Sequence, residues 1–370
     1  MKIRSLEALC LAGTGQQGAY GAPYGSIVRI ETDDGLVGYG ETDSMPNVIQ
    51  AIVDAPYLNQ LMSGLRALLI GQDPRETAKL WSLMCRGTTN YGRDGPTRHA
   101  MAAVDIALWD IKGKAAGKPL HALLGGAQRK ELRVYASHPL GDTPEQSRDH
   151  ARRLVEAGFG AIKFGWHPLG PDPALDTEIV RALRAGAGDD IDLLIDGGMA
   201  WDLPAAIDRC RRFAEYDIYW LEEPLPAYDL NSYAALNQAV DIQIAAGELA
   251  STYVELAPLI EGRAVDVLQV DLSRTGLTEA MRIAELANLN GIPCVNHTYS
   301  YDLNLAVSLH FMATIDLVSL CEYQVTPNEI RDHLIVDRPR PVDGWLAVPD
   351  GPGLGVTVDE SALERFRVNR

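Results

Sequence analysis

The sequence predicts an α/β protein: a closed (β/α) barrel, preceded by a smaller α+β domain and followed by a short C-terminal segment. Two observations carry this reading. Downstream of Gly125-Gly126, eight short apolar segments alternate with amphipathic helical stretches, and seven of them close on a polar or charged residue. Those residues are Lys163, Asp196, Glu222, Glu248, Asp271, His297 and Glu322, at successive spacings of 33, 26, 26, 23, 26 and 25, each close to one βα unit. An open doubly wound sheet gathers ligands at one switch point, whereas a barrel brings the C-terminal ends of all its strands around one mouth. The length of 370 residues agrees with one large domain and a smaller one.

Taken in order, residues 1–125 form the α+β domain. Ser26 to Glu31 and Leu36 to Glu41 read as strands around Asp33-Asp34-Gly35, where Asp-Gly supports the positive φ angles of a tight turn. From about Met45 to Leu124 the pattern is helical. Met101, Val104, Leu108 and Ile111 make one apolar stripe of a helix ending near Gly113 to Gly117. Residues 126–336 form the barrel, with strands expected at Leu132–Ala136, Gly160–Phe164, Asp192–Asp196, Ile218–Glu222, Gln243–Glu248, Val265–Asp271, Ile292–His297 and Asp316–Glu322. Helices are expected at Pro144–Ala157, Leu175–Ala187, Thr278–Leu289 and Asn304–Ala313. Residues 337–370, rich in Pro and Gly, are expected to return and cover the N-terminal domain.

Composition narrows the partners. Fifty Asp+Glu against 33 Lys+Arg give a formal charge of −17, which argues against nucleic acid and anionic membranes. No apolar stretch approaches the roughly 18–20 residues of a membrane span, and the first residues do not read as a signal peptide. The cysteines (Cys10, Cys85, Cys210, Cys294, Cys321) are odd in number and scattered, as expected of free thiols in a reducing cytoplasm. A small-molecule carboxylate is the expected partner, and the chain is expected to be cytoplasmic and to form a homo-oligomer. Gly13-Thr14-Gly15-Gln16-Gln17-Gly18 matches a dinucleotide-binding string, but Gly21, Pro23 and Gly25 preclude the helix that such a site requires. The segment reads instead as a loop whose Tyr20 and Tyr24 reach a ligand.

Asp196, Glu222 and Glu248 are the strongest constellation. Buried carboxylates at one barrel mouth repel each other, a divalent hard cation removes that penalty, and oxygen-only ligation fits Mg²⁺. Asp271 and His297 end adjacent strands. A carboxylate beside an imidazole fixes its tautomer and raises its basicity, which suits a general base. Lys163 is placed to neutralise a substrate carboxylate or an enolate, its plainer role being a partner for Glu222 or Asp196. Glu322 becomes a hydrogen-bond donor if burial raises its pKa. The remaining histidines read as structural, His167 least firmly.

Leu221-Glu222-Glu223-Pro224, Ala246-Gly247-Glu248, Asp196, Val270-Asp271 with Arg274-Thr275-Gly276, and Val295-Asn296-His297 together resemble the mandelate racemase subgroup of the enolase superfamily. The resemblance runs over essentially the whole chain, including the Ala-Leu-Trp-Asp of the helix at 101–112. It implies a capping domain on a modified (β/α)₇β TIM-type barrel, and Mg²⁺ held by Asp196, Glu222 and Glu248. It also implies that His297, oriented by Asp271, is the acid/base catalyst and that Glu322 helps stabilise the enolate. Two departures stand out. The racemases carry Lys-x-Lys on the second strand, where this chain has Lys163-Phe164-Gly165; and Asp-x-Asn on the third is here Asp196-Gly197-Gly198. Racemisation needs acid/base groups on both faces of the enolate, whereas dehydration of a polyhydroxy acid needs one imidazole acting as base and then as acid. The expectation is therefore a Mg²⁺-dependent acid-sugar dehydratase giving a 2-keto-3-deoxy acid. The alternatives are an isomerase (racemase, epimerase or lactone cycloisomerase) that uses His167 or a loop tyrosine as second base, and a non-catalytic, metal-stabilised homologue.

Overall fold

A computed structural model describes residues 1–13, 24–318 and 320–368. Three antiparallel strands come first: β1 (Ile3–Ala12), β2 (Tyr24–Thr32) and β3 (Val37–Thr42), in the order β1-β2-β3. Helices α1 (Pro46–Asp54), α2 (Thr77–Gly87) and α3 (Pro96–Ala116) follow. The sequence pattern gave α3 one apolar stripe, yet Ala100 to Leu108 are buried on every side. The reason is position: α3 lies between the sheet and the barrel, touching β3 on one side and the segments after Asp271 on the other. Asp105 on α3 accepts bonds from Thr278 N (2.8 Å) and Oγ1 (2.6 Å), so the two layers share a buried polar joint.

The barrel strands are β4 (Glu131–Pro139), β5 (Ala161–Gly165), β6 (Asp192–Asp196), β7 (Ile218–Glu222), β8 (Gln243–Ala246), β9 (Val267–Val270), β10 (Cys294–Asn296) and β11 (Cys321–Gln324). All their pairings are parallel, in the order β10-β9-β8-β7-β6-β5-β4-β11. Seven helices cross between them: α4 (Pro144–Glu156), α5 (Pro173–Ala187), α6 (Leu203–Phe213), α7 (Leu230–Ala239), α8 (Tyr253–Glu261), α9 (Leu277–Leu289) and α10 (Asp302–Thr314). This is a TIM-type barrel, with eight strands and seven crossover helices among the described residues. The seam between β10 and β11 is bridged by a side chain: Asn296 Oδ1 accepts from Glu322 N at 2.8 Å, and its Nδ2 lies 3.5 Å from Glu322 O. The last strand starts at Cys321, later than the apolar run suggests, because Asp316 is held in a loop by Gln128 Nε2 (2.5 Å) and Asn288 Nδ2 (3.1 Å). The C-terminal segment adds Trp345–Ala347 antiparallel to β4, and Val368 N donates to Cys10 O on β1 (2.9 Å). No helix among the described residues is long and apolar enough to cross a membrane.

Candidate active site

The strand ends enclose a cavity of about 220 Å³ lined in part by Lys163, Asp196, Glu248, His297 and Glu322, with Trp166, Arg274 and Asp43 on its wall. Asp196 and Glu222 are register partners at the ends of β6 and β7. Glu248 reaches the same mouth because Gly247, at φ +124, turns the chain off β8; a Cβ there would meet Gln269 O at 2.7 Å. All three carboxylates are buried. Burial and the neighbouring Glu222 push Asp196 up to about 7, while burial raises Glu248 well above the ordinary range. Glu248 Oε2 has no hydrogen-bond partner, although His297 Nε2 lies 3.3 Å away.

These carboxylates are partly served by the chain's own donors. Trp166 Nε1 donates to Asp196 Oδ2 (3.0 Å), Gly198 N to Asp196 Oδ1 (2.8 Å) and Trp220 Nε1 to Glu222 Oε2 (3.1 Å). Trp166 sits at φ +72, a left-handed conformation that costs a bulky residue roughly 1–3 kcal/mol. As the side chains stand, no three His, Cys, Asp or Glu groups among the described residues converge on one point. The donor chemistry nevertheless fits a hard cation: three oxygen ligands on adjacent strands, desolvated, with one orphaned carboxylate oxygen.

His297 and Asp271 form a dyad. Nδ1 lies 2.7 Å from Asp271 Oδ2, and Asp271 Oδ1 accepts from Ser273 N (2.7 Å) and Asn304 Nδ2 (3.0 Å). Burial opposes ionisation of Asp271, but the His297 bond and Arg274 hold its carboxyl down at about 2. Burial likewise opposes the imidazolium, and Glu248, Glu322 and Asp271 outweigh it, so His297 rises to about 10. The imidazole is therefore protonated near neutrality while its carboxylates are uncompensated, and serves as a base only once positive charge beside Glu248 brings it down.

Lys163 takes the plainer of its two expected roles, as a partner for Glu222: its Nζ bonds Glu222 Oε1, lies 3.0 Å from Glu322 Oε1 and rests over the Tyr135 ring. Three expectations change. Glu322 was expected to donate a hydrogen bond if burial raised its pKa. Lys163, His297 and the Thr298 N–H (2.6 Å) overcome burial and hold it below its ordinary value, as an acceptor and not a donor. His167 is exposed and does not line the cavity, because the chain turns outward after Gly165. Tyr24 opens β2, is 60% exposed and is also absent from the lining; Tyr20 lies outside the described residues.

Gly165 explains the missing second base in steric terms. A Cβ there would stand 2.3 Å from Asp196 Cβ and 2.6 Å from Asp196 O, so a side chain at this position displaces Asp196. Gly165→Ala is expected to weaken Mg²⁺ binding by roughly 10- to 100-fold, measured by calorimetry, without creating a second base. Unchanged affinity would show that the backbone yields there.

Sequence reasoning passed over the residues that brace this mouth. Glu41, at the end of β3, is fully buried and accepts from Ser300 Oγ (2.7 Å), Tyr301 N (2.8 Å) and Leu303 N (3.0 Å), the last in the first turn of α10. The same helix carries Asn304, which also reaches His297 O (3.4 Å). Arg274 donates through Nη2 to Asp43 Oδ2 (2.6 Å) and through Nη1 to Glu248 O (2.7 Å). The available signal was proximity in sequence: Trp166, Arg274 and Asn304 follow Lys163, Asp271 and His297 by three, three and seven residues. Nothing local signals Glu41 or Asp43, whose partners are more than 200 residues away.

Burial raises Glu41 from 4.5 to about 8 despite its three donors. The unfolded chain loses this proton first, so the stability contributed by the protonated group is complete below 4.5 and falls as pH rises toward 8. Glu41→Gln, which cannot ionise, is expected to flatten that dependence. Melting temperatures at about pH 5 and about pH 8 check it, and parallel slopes for both proteins would refute it.

A barrel with a carboxylate trio and an Asp–His dyad at its strand ends, beneath an antiparallel α+β layer, is the architecture of a TIM-barrel enzyme with a capping domain. Residues 16–125 match the mandelate racemase / muconate lactonizing enzyme N-terminal domain, and residues 146–362 match the enolase C-terminal domain-like family. The chain belongs to the mandelate racemase / muconate lactonizing enzyme family of the enolase superfamily. It is 34% identical over 355 residues to a D-galactarolactone cycloisomerase of Agrobacterium fabrum, covering 92% of this chain and 91% of that protein. An arabinonate dehydratase of Saccharolobus solfataricus is 31% identical, with 92% of this chain and 89% of that protein covered. The crystal structure of a racemase from Streptomyces coelicolor A3(2) with bound magnesium superposes at a TM-score of 0.87 with 28% identity, over 99% of this chain and 100% of that one.

Proposed function

We propose that this protein is a Mg²⁺-dependent hydro-lyase acting on a sugar acid. Asp196, Glu222 and Glu248 would hold the cation, which when bound supplies positive charge against the enolate that forms as the α-proton leaves. The chain's own residues do the rest. His297 Nε2 takes the proton α to the carboxylate, while Nδ1 stays bonded to Asp271, which fixes the tautomer and favours the imidazolium. The same imidazolium then returns its proton to the departing β-hydroxyl, so water leaves and a 2-keto-3-deoxy acid remains after tautomerisation. Lys163, held between Glu222 and Glu322, keeps a positive charge beneath the reacting carboxylate.

The observation that carries this reading is the pairing of one buried Asp–His dyad with Gly165 packed against Asp196, where a second base would stand. Racemisation and epimerisation are disfavoured for that reason. A cycloisomerase remains a second reading, supported by the Agrobacterium relative. It needs less than the sequence reasoning demanded: when the leaving oxygen belongs to a ring, one imidazole opens the ring and no water is lost.

Incubating sugar acids and their lactones with Mg²⁺ in D₂O separates the readings. A dehydratase forms keto acid with loss of one water; a cycloisomerase forms keto acid of unchanged composition; a racemase or epimerase washes deuterium into its substrate. Deuterium wash-in with inversion and no keto acid would sink the proposal.

A further inference from the structure

Four side chains on the cavity wall are able to carry positive charge, and each is already engaged. Lys163 lies between Glu222 and Glu322. His297 has Nδ1 on Asp271 and Nε2 3.3 Å from Glu248. His138 spends Nδ1 on the Pro139 carbonyl (2.7 Å), and burial holds it below its ordinary value. Arg274, the remaining cation, is locked through both ends of its fork. Its Nη2 and Nε meet Asp43 at 2.6 and 3.4 Å, and its Nη1 meets Glu248 O at 2.7 Å. Asp43, Asp196, Glu248 and Glu322 are the acidic residues lining the same cavity. The rest of the wall is neutral, including Ser137, Pro139, Leu249, Tyr299 and Trp166, the last 45% exposed. Residues 14–23, outside the described ones, contain no Lys, Arg or His.

We infer that the substrate carries a single carboxylate: an aldonic acid with an uncharged distal end, not an aldaric acid. This rests on the sugar-acid reading above and deepens it. The first carboxylate of any acid sugar would be met by the cation site, Lys163 being spent on Glu222 and Glu322. A second one would meet no unpaired cation among the described residues of the cavity wall and would face Asp43, which already holds Arg274. Asp43 is thereby the specificity-determining residue: its charge cancels the guanidinium that would otherwise accept a distal carboxylate bidentately.

The test uses pairs that share configuration at C2 to C5 and differ only at C6, gluconate with glucarate and galactonate with galactarate, on the Mg²⁺-loaded protein. Every pair that turns over is expected to favour the aldonate in kcat/KM by about tenfold or more. Asp43→Asn is expected to narrow or reverse that ratio, because it frees the Arg274 fork. A reactive pair that favours the aldarate in the wild-type protein overturns the inference. If neither pair turns over, the dehydratase reading loses support separately, and calorimetric binding of the same compounds decides the charge question. Tighter aldarate binding, or no aldonate binding, overturns it; tighter aldonate binding supports it. The wild-type comparison stands even where Asp43→Asn does not fold.

Discussion

His297→Asn is expected to abolish both exchange of the α-proton with D₂O and formation of keto acid, with a loss of about two to four orders of magnitude in turnover. In the proposed mechanism deprotonation and protonation of the leaving hydroxyl share one imidazole, so both readouts should fall together. Asn can still bond Asp271 from the place of Nδ1, which lies 2.7 Å from Asp271 Oδ2, but it cannot accept the proton. Mg²⁺ binding, followed by calorimetry, should survive, which separates lost chemistry from lost structure. Asp271→Asn should weaken the same steps less completely. It leaves the ring in place but turns an amide into a pocket built for an acceptor, since Asp271 also takes bonds from Ser273 N and Asn304 Nδ2. Continued α-deuterium exchange in the His297→Asn protein would reveal a second base, and the one-base mechanism would fall with it.

Glu248→Gln should act with opposite signs on the empty and the loaded protein. Burial raises Glu248 well above the ordinary range against the opposing pull of His297, and Glu223, Glu222 and Asp196 add repulsion. Removing that charge is expected to raise the melting temperature in the presence of a chelator. The same change removes one of the three proposed oxygen ligands, and Mg²⁺ affinity should fall by about 3 kcal/mol, on the order of a hundredfold. Since a ligand that binds only the folded state stabilises it by mass action, the Mg²⁺-induced rise in melting temperature seen in the wild type should largely disappear. Thermal scans of both proteins with chelator and with Mg²⁺ check this. An unchanged Mg²⁺-induced rise in Glu248→Gln would remove Glu248 from the proposed ligand set.

The barrel and the gathering of its polar strand ends were legible in the chain because both are local patterns repeated at one interval. An apolar run of strand length closing on Asp196 or Glu222 is written within five residues, and Asp192–Asp196 and Ile218–Glu222 are strands with those bounds. Repetition of that pattern implies a common rim, since parallel strands joined by helices place their C-terminal ends on one side. The absence of a second lysine at Gly165 was equally plain, and the close approach of Asp196 gives it a physical cause.

Charge state was not legible, nor was pairing beyond Asp271 with His297 and Lys163 with Glu222, because both depend on distances through space between groups far apart in sequence. Lys163 and Glu322 stand 3.0 Å apart and therefore keep each other ionised, whereas burial considered alone would have neutralised Glu322. The indole of Trp166 turns back onto Asp196 only because its backbone takes a left-handed φ. Glu41 and Asp43 acquire their roles across 231 or more residues, where the tip of β3 meets the loops after Asp271 and His297. A strand end can announce its own side chain; which loop arrives to neutralise it is settled by packing, since an electrostatic partner counts only once both groups have left water within a few ångströms of each other.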